Sequence, residues 1–267
     1  MAADCRVAEL EARLSKYERF VESMFEPEPD EERYKILELI RAGSFGQVRK
    51  ARIKSSGELA VIKAVRFDPQ PEGIATLIRG IKNILSVRPE TNIVQYFDIF
   101  RGSQDTINYV LEFCDCDLEQ FMQLKQNTSL KNLFSIALQT LRGTYMLHSN
   151  SPPIIHGNIK PTNALLQTKP NSIVVKLCDF GISSRSCVSD RFSFDPLGKD
   201  GAQNRQRVLD AIADHGLLQF LGPEFHAALD GQGLKDGKMV FDSSADIFAL
   251  GLVFAYMFCY DTNDYGS

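Results

Sequence analysis

The chain has 267 residues, 44% of them hydrophobic, enough to bury a sizeable core in one large domain or two lobes. Its net charge is −4 and its basic residues form no dense run, which leaves no footprint for nucleic acid. The six cysteines form one close pair, Cys114 and Cys116, with no second pair at metal-ligand spacing, so free thiols are expected rather than a disulfide framework or a zinc site.

No apolar signal-peptide core follows Met1, and the apolar run from Ile247 to Phe258 is short of the ~20 residues a membrane span needs, so a cytoplasmic or nuclear protein with no membrane contact is expected. Val7, Leu10, Leu14, Tyr17, Val21 and Met24 recur at spacings of 3 and 4 with charged residues between them. That seam predicts an amphipathic, coiled-coil-like helix over residues 1–25, which either self-associates into a homo-oligomer or docks on its own domain. Residues 26–33, with two prolines and five acids up to Glu32, read as a stiff, solvated linker.

Tyr34 to Ile40 reads as a strand, and Arg41-Ala42-Gly43-Ser44-Phe45-Gly46-Gln47-Val48 as the turn and return strand after it. Ala60-Val61-Ile62-Lys63 lies in a largely apolar strand. Ile74, Leu77, Ile78, Ile81, Ile84 and Leu85 form a helical stripe. A further strand runs from Ile107 to Phe113, and Asp117 is placed to cap a short helix. Leu130 to His148 reads as a long amphipathic helix with Leu133, Phe134, Ala137, Leu138, Leu141 and Tyr145 along one side. Next come Ile154-Ile155-His156-Gly157-Asn158-Ile159-Lys160-Pro161-Thr162-Asn163 and Lys176-Leu177-Cys178-Asp179-Phe180-Gly181. A polar stretch follows with Ser183, Ser184, Ser186, Ser189 and Ser193, then an expected helix over 203–218 and Gly222-Pro223-Glu224. Asp242 opens a last helix, apolar nearly all round and expected to be buried.

Taken together these segments resemble the protein kinase family, whose signatures are a glycine-rich loop, a strand lysine, H-R-D-x-x-x-x-N and D-F-G. The resemblance spans roughly residues 34–260 and implies an α+β, bilobal fold, with an N-lobe over 34–110 and a C-lobe over 111–267 that is incomplete after the last helix. Within the family, residues 246–254 and 92–100 look like the unfolded-protein-response sensor kinases.

The resemblance also implies a site for ATP and Mg²⁺. Ile40, Gly43, Gly46, Val48, Ala60, Lys63, Leu111, Glu112, Cys114 and Leu165 would line the nucleotide pocket, with Lys63 on the α- and β-phosphates and Leu111 as gatekeeper. The Glu112 carbonyl and the Cys114 N–H would bond the adenine edge. Lys160 would meet the γ-phosphate, as in Ser/Thr-type kinases, and Asn163 and Asp179 would hold the metal. His156 is expected to anchor the core, Asp246 to bond the loop backbone, and Gly251 to permit close packing.

Three positions depart from the family pattern. Asn158 stands where the family has its proton-accepting Asp, and an amide takes no proton near neutral pH. Gly80 falls where the stripe-bearing helix carries the Glu that pairs with the strand lysine, and Arg41 replaces the first loop glycine. These changes point to a pseudokinase that works as a scaffold or allosteric partner. The alternative is a Ser/Thr kinase that transfers the γ-phosphate to a protein substrate, because phosphoryl transfer depends mostly on positioning and charge.

Overall fold

The computed structural model describes residues 30–43, 46–67, 69–102, 105–124, 129–170, 172–180, 192–194, 220–224, 227 and 239–259. The N-terminal seam, most of the serine-bearing stretch and the helix expected over 203–218 lie outside the described residues. The chain divides into two compact units, Met1–Pro89 with Val94–Phe113, and Glu90–Ile93 with Cys114–Ser267. The division falls after Phe113 rather than at 110, because the strand before it runs on to Glu112.

The first unit is built on an antiparallel sheet of β1 (Tyr34–Gly43), β2 (Gly46–Ile53), β3 (Leu59–Arg66), β4 (Tyr96–Arg101) and β5 (Thr106–Glu112), in the order β1-β2-β3-β5-β4. Alternation sorts its side chains onto two faces. Tyr34, Ala51, Ala60, Ile62, Phe100 and Val110 form a buried cluster on one of them. Asp98 ties the start of β1 to β4, accepting from Arg33 Nη1 at 2.6 Å and Tyr34 Oη at 2.8 Å. Helix α1 (Pro71–Ser86) starts on a proline, whose fixed φ suits a first helical position, and buries Gly80, Ile81, Asn83 and Ile84.

The second unit holds α2 (Leu118–Gln123), α3 (Leu130–His148), a 3-10 turn (Pro161–Asn163), the sheet β6-β7-β8 (Cys116–Asp117, Ala164–Lys169, Ser172–Leu177) and α4 (Ser243–Cys259). A short strand pair joins β9 (Phe192–Phe194) to β10 (Met239–Phe241). Asp117 caps α2 reciprocally: its carboxylate accepts the Gln120 N–H at 2.8 Å while Gln120 Oε1 accepts the Asp117 N–H at 3.1 Å. The core gathers Leu118, Phe121, Leu133, Ile136, Leu177 and Val253 with their neighbours.

Helix α3 has the predicted bounds but turns a different side inward. Phe134, Leu138, Leu141 and Tyr145 are 44–66% exposed, whereas Leu133, Ile136, Thr140, Gly143, Thr144 and Leu147 are buried. The reason is close approach. A Cβ on Gly143 would stand 2.6 Å from the Asn92 carbonyl oxygen and 2.9 Å from Leu177, so the face with small residues is the one that can meet β8. Gln139 fastens this contact, donating to the Ile173 carbonyl at 2.9 Å and accepting from Asn92 Nδ2 at 3.0 Å and the Val175 N–H at 3.1 Å.

Helix α4 is likewise one-sided. It buries Asp246, Ala249, Leu250, Val253 and Met257 and leaves Ile247, Phe248 and Phe258 between 39% and 53% exposed. Gly251 is exposed, and a Cβ there would meet nothing within 4 Å, so the close packing expected of it is not found among the described residues. No described helix is long and apolar enough to cross a membrane.

Candidate functional site

In the first unit the hairpin closes with Gly43 opposite Gly46. Gly46 has φ +140°, and a Cβ on it would collide with the Ala64 carbonyl oxygen, so the fold itself demands glycine there. Beyond the turn, Arg41, Val48 and Lys63 stand in one cross-strand row over β1, β2 and β3. Residues directly opposite in antiparallel strands project to the same face. Val61 faces Leu111 in the neighbouring row, so Lys63, Val48, Val61 and Leu111 share a surface.

Ala60 does not join them. It is fully buried on the opposite face with Ile62, because it lies three residues from Lys63 and a strand repeats every two. Val61 takes the place expected for it. Ile40 is 49% exposed at an irregularity in the β1–β2 register between Leu39 and Arg41. Glu112 is fixed by Gln95, donating its N–H to the Gln95 carbonyl at 3.0 Å and accepting the Gln95 N–H on Oε1 at 2.7 Å. Gly80 is buried in α1 one turn before Ile84 and offers no carboxylate.

In the second unit the loop from Ile154 to Asn163 is pinned from within. Ile154, Ile155 and Ile159 are buried. Asp246, 1% exposed on the first turn of α4, accepts the His156 N–H at 2.7 Å and the Gly157 N–H at 2.8 Å. Its Oδ2 also lies 2.8 Å from His148 Nε2 at the end of α3. One carboxylate thereby ties two helices to the loop. Gly157 has φ +67°, the left-handed conformation that presents successive N–H groups to one acceptor.

His156 is fully buried with its ring edge-on to Phe180, centroids 6.2 Å apart. Burial lowers its pKa from the ordinary histidine value against the opposing pull of Asp246 and Asp179, which keeps the ring neutral and suits an anchor rather than a proton carrier. Cys116 in β6 is pushed up to about 11 by burial and by Asp117 and Asp115.

Beyond His156 the loop presents Asn158 and Lys160, both half-buried, before turning through Pro161–Asn163. Asn163 Nδ2 donates to the Asn158 carbonyl at 2.7 Å, which orients the amide and leaves Oδ1 as its acceptor atom. The Cys178 N–H donates to the Asn163 carbonyl at 3.0 Å, so Asp179 follows directly beside Asn163. Asp179 has φ +64°, a conformation uncommon outside glycine and concentrated at functional sites. An amide oxygen and a carboxylate brought together in this way fit a magnesium ion that completes its shell with water and phosphate. No group of three or more His, Cys, Asp or Glu able to hold a metal occurs among the described residues.

Leu165 is half-buried on β7 opposite Asp117, and its neighbour Leu166 fills the core. Cys114 opens the second unit, half-buried, and Asp115 beside it accepts from the Thr168 N–H at 2.7 Å. Two contributors escaped the sequence reading. Val61 was legible from period-two alternation back from Lys63, whereas the His148–Asp246 contact bridges 98 residues and had no local signal.

The family model described as "Protein kinase domain" matches residues 34–263. A curated relative, cyclin-dependent kinase G-2 from Oryza sativa subsp. indica, is 33% identical over 153 residues. The enzyme of the same name from Oryza sativa subsp. japonica gives the same figures. The match covers 56% of this chain and 21% of each relative, so it spans about a fifth of their length.

Proposed function

Because the chain belongs to the protein kinase domain family, we propose that it is a nucleotide-binding pseudokinase, acting as a scaffold or allosteric regulator rather than by rapid phosphoryl transfer. The observation that carries this is Asn158. It occupies the position of the family's proton-accepting carboxylate, in a loop otherwise held by Asp246 and by the Asn163–Asn158 bond. Removing a general base typically costs 10²–10⁴ in rate. Gly80 in α1 adds to the deficit, because it offers no carboxylate where active family members carry the helix Glu.

The retained groups support nucleotide binding. Lys63 would hold the α- and β-phosphates, Val48, Val61 and Leu111 would cover the base, and the Glu112 and Cys114 backbone would bond its edge. Asn163 Oδ1 and Asp179 would hold Mg²⁺, which supplies charge neutralisation to phosphate oxygens when bound. Lys160 would orient the terminal phosphate. These same residues favour a second reading, slow Ser/Thr phosphotransfer with Asn158 accepting a hydrogen bond from the substrate hydroxyl.

The test has two parts. Thermal-shift titration with Mg²⁺-ATP is expected to raise the melting temperature by the ligand-linkage term, and Lys63→Ala to remove the shift. Phosphotransfer to a generic protein substrate is expected to be near background and to rise at least tenfold in Asn158→Asp. Wild-type activity that falls in both Asn158→Ala and Asp179→Ala would favour the second reading. No ATP shift from a folded sample would remove both.

A further inference from the structure

β1 is an end strand of its sheet, with β2 its only partner among the described strands. Every residue from Lys35 to Ala42 is exposed. Four of them are large and apolar: Ile36, Leu37, Leu39 and Ile40, at 40–56% exposure. Ile36 stands opposite Ala51 and Leu39 opposite Arg49, so both lie on the face whose buried cluster includes Tyr34, Ala51 and Ile62. The patch continues that core outward past its rim. An exposed apolar edge strand invites pairing with other chains, and folded proteins blunt it with charge or bulges or cover it with a helix or loop.

The geometry of the strand selects the cover. Its register with β2 breaks between Ile36 and Glu38 and again between Leu39 and Arg41. A bulged residue leaves the ladder and bends the strand, so a further strand cannot pair along β1 in register. A helix needs only side-chain contact. The chain just before β1 carries a helical pattern, the seam Val7, Leu10, Leu14, Tyr17, Val21 and Met24, whose 18 residues would span ~27 Å. The exposed part of β1, residues 35–42, has a similar length of ~26 Å.

The point of entry into β1 is fixed. Arg33 donates to Asp98 at 2.6 Å, and its carbonyl accepts the Lys54 N–H at 3.0 Å. Only residues 25–29 separate the seam from the turn Asp30–Arg33. Five residues reach at most ~17 Å. So short a tether holds the seam beside β1 at an effective concentration on the order of millimolar. The net charges also have opposite sign: residues 1–29 hold seven acids and four bases, whereas β1 and β2 hold five bases and one acid.

We propose that residues 7–24 double back as an amphipathic helix and pack through this seam onto Ile36, Leu37 and Leu39 of the same chain. The inference does not depend on the nucleotide-binding reading. It gives the seam an intramolecular partner, which occupies both the seam and the edge of β1 and so opposes pairing between copies.

The experiment places a photocrosslinker at Leu14 of the full chain, in an equal mixture of ¹⁵N-labelled and unlabelled protein, and reads the joined peptides by mass spectrometry. Cross-links are expected to residues 34–42, with both peptides carrying the same isotope. Leu39→Glu, at a half-exposed position, should remove most of them without lowering the melting temperature. In hydrogen exchange, Leu10→Ser with Leu14→Ser should speed the amides of residues 35–41 about tenfold while β3 and β5 keep their rates. Mixed-isotope cross-links between two copies of residues 7–24 would mean that the seam self-associates and would overturn the proposal. So would cross-links to any other part of the chain, no cross-link from a folded sample, or β1 exchange that the seam variant leaves unchanged or speeds no more than that of β3 and β5.

Discussion

Replacing Asp246 tests the loop architecture most directly. Its carboxylate is 1% exposed and accepts two backbone N–H groups, from His156 at 2.7 Å and Gly157 at 2.8 Å, with His148 Nε2 also at 2.8 Å. A hydrogen bond to a charged acceptor contributes about 1.5–3 kcal/mol, and an orphaned buried donor costs ~1–3 kcal/mol. Asp246→Ala strands two such donors and the histidine, so a loss of about 3–5 kcal/mol is expected, a large part of a typical domain's stability. Asp246→Asn keeps the shape, but its NH₂ must face one of the donors, and about 2–3 kcal/mol should be lost. The assay is urea unfolding, read from the midpoint at constant slope. A cycle with His148→Gln apportions the histidine's share, since contacting residues couple by ~0.5–3 kcal/mol. A loss below about 1 kcal/mol for Asp246→Asn at unchanged slope would refute the reasoning that this carboxylate holds the loop.

The remaining expectations follow from other local environments. His156 is buried neutral with a lowered pKa, so the unfolded chain binds a proton that the native chain refuses. Its contribution is complete above the unfolded value near 6.5 and is lost as pH falls below it, by up to about 1.4 kcal/mol per unit. His156→Phe should flatten the unfolding free energy between pH 7 and 5, and an unchanged slope would count against it. Gly143→Ala should destabilise by about 1–3 kcal/mol through its clash with Asn92 and Leu177. Gly251→Ala, exposed in mid-helix with open space around it, should instead stabilise by up to ~1 kcal/mol, and opposite signs in thermal melts check both. With its pKa near 11, Cys116 is about one part in a thousand thiolate at pH 8. Iodoacetamide mapping by mass spectrometry should therefore find exposed Cys259 modified well before it.

Much of the site was legible because it is local. The loop from His156 to Asn163 and the Asp179-Phe180 pair are short runs whose residue types and spacing are set along the chain. The bounds of α3, Leu130–His148, were legible for the same reason, since helix periodicity is a local signal. Asp117 as a cap and the β3 lysine also needed only their near neighbours.

What tertiary structure decided was which side of each element faces what. Helix α3 carries two apolar stripes. Hydrophobicity favoured Phe134, Leu138, Leu141 and Tyr145, but the face bearing Gly143 and Thr140 is buried, because backbone approach to β8 requires small side chains. Alternation along β3 already puts Val61 on the Lys63 face, but only the strand register sets Leu111 opposite it. Gly46, expected to line the nucleotide pocket, is required by the Ala64 carbonyl across the sheet. Asp246 meets its backbone donors from 89 and 90 residues away. The sequence by itself determined which residues form each segment, since that depends on neighbours along the chain. The partner each side chain meets is set by packing between distant segments, and only the folded chain brings those together.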